Sequence, residues 1–198
     1  MTDKITIIDY NSGNLKSVCN MLDSLCLDYC VSDKKDEILK AKQLIFPGQG
    51  HFGQAMKNLS SKGLNKLIPE MIENGAKFLG ICIGLQILFE KSEEAPEEQG
   101  LGVIKGEALR YKKGKIPQIG WNKIKTTKNN LYLSDDYYYF VNSYYVRPEK
   151  EDFISSVCDY EGVEFCSSVN YKNLTAVQFH PEKSAEAGRL FFEKWAAE

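Results

Sequence analysis

Between residues 5 and 89, short apolar runs alternate with amphipathic stretches, and this alternation restricts the chain to few folds. Ile5-Thr6-Ile7-Ile8 is a strand of the kind buried on both faces. After the turn cluster Asn11-Ser12-Gly13-Asn14, residues Leu15, Val18, Cys19, Leu22 and Leu25 fall on one helical face. Tyr29-Cys30-Val31 reads as a second strand, residues 35–41 as a short helix, and Leu44-Ile45-Phe46 as a third strand. The loop Pro47-Gly48-Gln49-Gly50 follows. Leu64, Leu67, Ile68, Met71 and Ile72 then mark another amphipathic helix, residues 77–81 a fourth strand, and residues 84–89 the next helix. Strands and helices at this spacing build a mostly parallel central sheet with helices on both faces, whose ligands sit at the carboxyl ends of the strands. The loops at 9–14, 47–51 and 80–84 should therefore share one edge.

The second half changes character. Segments 116–126, 131–146, 153–158, 163–169 and 174–179 are short and rich in aromatic and β-branched residues, which predicts a smaller antiparallel β portion. Residues 185–197 close the chain as a helix with Ala187, Leu190, Phe191 and Trp195 on one face. The charged run 90–98 reads as a solvated loop. With 198 residues, no repeat and no linker, a single domain over 1–198 is expected.

Charge and cysteine usage narrow the function classes. Lys and Arg number 25 against 27 Asp and Glu, and this balance argues against a nucleic-acid or anionic-membrane binder. The N-terminal apolar run is too short for a signal peptide, and no stretch reaches the ~18 apolar residues of a membrane helix. A cytoplasmic location and free thiols for Cys19, Cys26, Cys30, Cys82, Cys158 and Cys166 are expected. Cys26-x-x-x-Cys30 with Cys19 lacks a nearby histidine, so no metal is expected; no G-x-G-x-x-G follows the first strand, and no cofactor is expected.

Gly80-Ile81-Cys82-Ile83-Gly84 lies between a strand and a helix, in the manner of a nucleophile elbow with cysteine as nucleophile. The glycines permit a tight turn that lifts the sulfur above the sheet, and the following helix N-terminus favours a thiolate. Alone, the pattern also fits a buried structural cysteine. The chain has only two histidines, His51 and His180. His180 follows the apolar run 175–179 in Gln178-Phe179-His180-Pro181-Glu182. In an extended segment His180 and Glu182 project to one side, so Glu182 can hold one ring nitrogen while the other serves Cys82 as base. Alone, His-Pro-Glu also fits a surface histidine with an acidic neighbour; together with the elbow it favours catalysis. The glycine-rich loop at 47–50 offers backbone N–H groups which, with that of Ile83, can form an oxyanion hole from Gln49, Gly50 and Ile83. It also fits a plain turn.

These motifs resemble the class I (triad) glutamine amidotransferases. Ile8-Asp9-Tyr10-Asn11-Ser12-Gly13-Asn14-Leu15, Phe46-Pro47-Gly48-Gln49-Gly50, Ile119-Gly120-Trp121-Asn122 and Phe140-Val141-Asn142-Ser143-Tyr144 narrow the resemblance to the glutaminase subunits of imidazole glycerol phosphate synthase, over residues 5–195. The resemblance implies the class I amidotransferase fold and hydrolysis of L-glutamine by Cys82, His180 and Glu182. It implies Gly50, Gln86, Glu94, Ser143 and Tyr144 around the substrate, with Glu94 facing the substrate ammonium. It implies a heterodimer with a (β/α)₈ cyclase, contacted by Asn14, Trp121 and Lys183, which uses the ammonia to make imidazole glycerol phosphate and AICAR in histidine biosynthesis. A glutaminase of this kind should be weak alone and activated by its liganded partner. Three positions depart from the pattern: Gln49 replaces a small aliphatic residue, and Gln118 and Asn142 replace histidines near the interface. Other readings are a related amidotransferase feeding amino or amidino sugars of surface polysaccharide, a hydrolase of γ-glutamyl amides without a partner, and a binding module without catalysis.

Overall fold

The computed structural model describes residues 4–11 and 15–197. Its first half runs β1 (Ile5–Ile8), α1 (Leu15–Ser24), β2 (Tyr29–Ser32), α2 (Lys35–Ile38), β3 (Gln43–Phe46), α3 (Phe52–Ser61), α4 (Leu64–Glu73), β4 (Lys77–Ile81) and α5 (Ile83–Gln86). The second half runs β5 (Lys91–Ser92), β6 (Gly106–Arg110), β7 (Gln118–Thr126), β8 (Tyr137–Asn142), β9 (Tyr144–Pro148), β10 (Ile154–Tyr160), β11 (Val163–Tyr171), β12 (Leu174–Val177) and α6 (Ala185–Ala197).

Strands β2, β1, β3 and β4 lie side by side and parallel, as the alternating pattern predicts; β12, expected in the antiparallel portion, instead extends this parallel row beside β4. Strand β12 joins the two halves of the fold, since it runs parallel to β4 on one side and antiparallel to β11 on the other. The sheet then continues through β10 and β7 to β8, while β9 pairs with β11 and carries β6 and β5. Successive residues of the central strands serve opposite faces. Leu44, Phe46, Phe78 and Ala176 pack under α3 and α4, while Ile45, Leu79 and Val177 pack under α1 and α6.

Several boundaries differ from the sequence reading. Helix α3 was hidden by its glycine, polar and lysine positions, although Phe52, Ala55, Met56 and Leu59 are buried. Helix α2 ends at Ile38, and α5 is a single turn. Residues 131–136 are not strand. On α6, Leu190 faces outward and Phe192 is buried in its place, because the helix meets the sheet along Phe191, Phe192 and Trp195. The charged run 90–98 is not simply solvated. Its Ser92 and Ala95 are buried, and Glu93 accepts from Arg110 N at 2.7 Å, fastening the segment to β6. Among the described residues, no helix is long and apolar enough to cross a membrane, and no group of three His, Cys, Asp or Glu could hold a metal.

Candidate active site

Strand register brings the site together. Phe46 stands opposite Gly80, and Ile81 opposite Val177. The segments that follow β3, β4 and β12 therefore leave the sheet at the same edge, and these are residues 47–50, 82–83 and 178–182. Cys82 continues the ladder by one step, donating its N–H to the Val177 carbonyl at 2.7 Å.

The chain then turns sharply. Cys82 has φ 53° and ψ −100°, a sparsely populated conformation for a residue with a Cβ. Holding such a residue costs about 1–3 kcal/mol and persists only where the surroundings enforce it. Here they do. Gly84 passes so close to β3 that an added Cβ would stand 2.5 Å from the Phe46 carbonyl oxygen. Gly48 passes so close to the elbow that its Cβ would stand 2.0 Å from Cγ2 of Ile83. The glycine-rich loop is thus seated directly on the nucleophile turn. As the first helical residue, Ile83 has no acceptor for its N–H within α5. The carbonyl of Gln49 accepts from the Tyr10 hydroxyl at 3.4 Å, which ties this loop to the one after β1.

His180 and Glu182 are both buried, and Nδ1 of His180 is 2.8 Å from Oε1 of Glu182. The segment is not extended as the sequence reading expects: a short 3₁₀ turn over Pro181–Lys183 sets this spacing. The His180 N–H donates to the Tyr139 carbonyl at 2.8 Å, and Ser184 Oγ donates to the His180 carbonyl at 2.7 Å, so the histidine backbone is held from two sides. Nε2 of His180 has no well-formed hydrogen bond. Burial works to lower the imidazole pKa, but the charge of Cys82, a loosely aligned hydrogen bond with its sulfur, and Glu182 outweigh burial and raise it to about 10. The imidazole thus lies within electrostatic reach of the sulfur on one side and is bonded to a carboxylate on the other. Cys82 is 7% exposed and His180 not at all, so the pair is shielded but not sealed.

Of the expected substrate residues, Gln86 is linked to the Cys82 sulfur through Gln178. Gln86, on α5, is buried and donates from Nε2 to the Tyr144 carbonyl at 3.3 Å. Burial and the charge of Glu94 raise the pKa of the Tyr144 hydroxyl, which puts Glu94 and Tyr144 in one neighbourhood. Oε2 of Glu94 accepts from Phe52 N at 2.6 Å, two residues beyond Gly50. Ser143 stands between β8 and β9, and its carbonyl accepts from Tyr111 N at 3.1 Å. Trp121 is 48% exposed on β7, edge-on to Tyr139 of β8, and Lys183 is half-buried beside the histidine turn. Asn14 lies outside the described residues.

Gln118 and Asn142 do not lie at the surface of the isolated chain. They stand opposite each other on β7 and β8, and both are buried. The Tyr111 hydroxyl donates to Oε1 of Gln118 at 3.0 Å and accepts from Nδ2 of Asn142 at 3.3 Å. Asn142 also donates to the Tyr144 carbonyl at 2.9 Å, so this buried cluster fixes the backbone of an expected substrate residue.

Two contributors were not recognised in the sequence. The Val141 carbonyl lies 3.9 Å from Sγ of Cys82. The side chain of Gln178, fully buried, donates from Nε2 to the same sulfur at 3.6 Å and accepts at Oε1 from Gln86 Nε2 at 3.2 Å. A polar residue inside the apolar run 175–179 was the signal for Gln178, because a buried amide has to find partners. Nothing in the sequence marked Val141, whose contact is through its main chain.

The chain matches the family model described as glutamine amidotransferase class-I over residues 6–196. It is 43% identical over 200 residues to imidazole glycerol phosphate synthase subunit HisH 1 of Methanococcus maripaludis, covering 96% of this chain and 98% of that one. It is 43% identical to the HisH subunit of Aquifex aeolicus, covering 97% and 95%. It is 41% identical to that of Bacillus subtilis, covering 98% and 97%. Among solved structures, one described as a glutamine amidotransferase superposes with a TM-score of 0.77 at 21% identity, covering 98% of this chain and 99% of that one. PurLQS from Thermotoga maritima superposes with a TM-score of 0.77 at 17% identity, covering 100% and 99%. These two share the fold. The chain belongs to the class I glutamine amidotransferases and, within them, to the HisH subunits of imidazole glycerol phosphate synthase.

Proposed function

We propose that this chain hydrolyses L-glutamine and passes the ammonia to a (β/α)₈ cyclase subunit, which builds imidazole glycerol phosphate and AICAR in histidine biosynthesis. The sulfur of Cys82 attacks the glutamine side-chain amide carbon. His180 takes the thiol proton and gives it to the leaving ammonia, and Glu182 keeps Nδ1 engaged so that Nε2 serves the reaction. Water then hydrolyses the γ-glutamyl thioester. The N–H groups of Gln49, Gly50 and Ile83 are the donors for the oxyanion of each tetrahedral intermediate; one such donor is worth about 3–4 kcal/mol where it has been measured. Gln86, Ser143 and Tyr144 line the substrate site, and Glu94 attracts the substrate ammonium.

The observation that carries this reading is the meeting of a strained Cys82 elbow with a His180–Glu182 pair 2.8 Å apart, imposed by the β4–β12 register. The relatives' shared designation as HisH subunits supports the cyclase partner. So does the exposed strip on β7 and β8, where Ile119 is 57% and Tyr137 54% exposed beside Trp121, with Lys183 at its rim. This strip is mechanically joined to the catalytic base, because Tyr139 bonds both His180 and Ser184 through its main chain. A partner seated there would act on His180 through Tyr139. Reconstitution with the cyclase tests the reading. Cys82→Ala should lower glutamine-dependent synthesis by about a thousandfold or more, and should leave ammonia-dependent synthesis intact. Glutamine-dependent turnover surviving the substitution would overturn it.

A further inference from the structure

We propose that Gln178 is a further catalytic residue, whose side-chain amide donates a hydrogen bond to the Cys82 sulfur and stabilises it as a thiolate. The inference rests on the glutaminase reading above and adds a residue to it. Gln178 follows β12 directly, and its backbone N–H donates to the Ser167 carbonyl at 2.8 Å on β11. The main chain is therefore pinned to the sheet while the side chain turns toward the elbow. A primary amide buried completely is costly unless both its ends are bonded, and here each end has a partner.

The direction of the bonds follows from the network. Nε2 of Gln86 reaches the Tyr144 main-chain carbonyl at 3.3 Å, an oxygen that can only accept. The Gln86 atom there must be its nitrogen. That same nitrogen reaches Gln178 at 3.2 Å, so the Gln178 atom facing it must be oxygen. The remaining end of the Gln178 amide, 3.6 Å from Sγ of Cys82, is then the NH₂ group. A donor, not an acceptor, is aimed at the nucleophile.

A donor in this place acts twice in the cycle. Before attack, the N–H···S⁻ bond favours the thiolate over the thiol and fixes where the sulfur sits. In thioester hydrolysis the water oxygen bonds to the γ-glutamyl carbon and its proton goes to His180. The C–S bond breaks, and its electron pair leaves on sulfur. The same amide then receives the departing thiolate. His180 cannot supply this donor while it is accepting the water proton.

The test separates this role from one in which Gln178 only holds Gln86. Gln178→Met keeps the length and removes both polar ends. Gln178→Asn keeps an amide but withdraws it from the sulfur by one methylene. Alkylation of Cys82 by iodoacetamide, followed on its own peptide by mass spectrometry in the complex with the cyclase, reads the nucleophile without involving glutamine. For Gln178→Met the alkylation rate at pH 7 and the glutaminase kcat should both fall about tenfold, the loss expected for one hydrogen bond to a charged atom; Gln178→Asn should fall in the same direction. A folded variant that alkylates within twofold of wild type and only raises KM for glutamine would overturn the proposal. If Gln178→Met fails to fold, Gln178→Asn decides by the same criterion. Should the wild-type complex not hydrolyse glutamine at all, the glutaminase reading fails, whereas the alkylation series still decides whether Gln178 sustains the thiolate.

Discussion

In the proposed reaction three side chains form the triad, and each is useful only because of what its neighbours impose. His180 is an ordinary imidazole whose burial alone would favour the neutral form. The sulfur of Cys82 and the carboxylate of Glu182 reverse that preference. The sign of the stability effect follows. A pKa raised from about 6.5 to about 10 gives a contribution fully present below pH 6.5 and lost as the pH rises through 10. Glu182→Gln removes part of the cause. The gap in Tm between wild type and Glu182→Gln should therefore be widest near and below pH 6.5 and should close toward pH 10. A gap that widens with pH would contradict the assignment of Glu182 as a stabiliser of imidazolium.

At the scale of elements, the elbow depends on how closely β3, β4 and α5 approach. A single helical turn contributes little dipole, so α5 does little of what the sequence reading expects of it in favouring a thiolate, and the conformation of Cys82 is kept by packing. Gly84→Ala tests this. A Cβ 2.5 Å from the Phe46 carbonyl forces either the strand or the elbow to move. Overpacking of this kind costs about 2 kcal/mol, or roughly 4–8 °C in Tm for a chain of this size. Glutaminase activity should drop with it, because the loop bearing Gly50 is displaced from Ile83. A Tm within one degree of wild type, measured by calorimetry, would mean that the contact is slack.

At the scale of the whole molecule, the sheet edge that holds the triad continues into the exposed face of β7 and β8. Trp121, half-exposed and edge-on to Tyr139, is the proposed anchor for the cyclase. Trp121→Ala should leave the Tm of the isolated chain nearly unchanged while weakening cyclase binding by about 2 kcal/mol, roughly thirtyfold in Kd. Because the strip is bonded to His180 through Tyr139, the glutaminase rate should be low for the chain alone and rise with the liganded cyclase, and the variant should need correspondingly more cyclase to reach it. Titration calorimetry and a steady-state glutaminase assay with and without cyclase check both. Equal rates with and without partner would remove the coupling.

The sequence by itself determined the parts whose information is local. Apolar runs specified β1, β3 and β4, glycines marked both the elbow and the loop after β3, and an i, i+2 spacing paired His180 with Glu182. It could also name Cys82 and His180 as partners, because only two histidines compete for the role. It could not show α3, whose buried face is defined by what covers it, nor the outward turn of Leu190. It marked Gln118 and Asn142 only as departures from the family pattern, and could not show that the pleat of β7 and β8 turns them inward onto Tyr111. Tertiary structure alone decided that β12 lies against β4 in a register that sets Gln178 and His180 beside a cysteine about a hundred residues away. Such pairing depends on hydrogen bonds between distant backbones, and strands buried on both faces lack the in–out alternation that would fix their register locally.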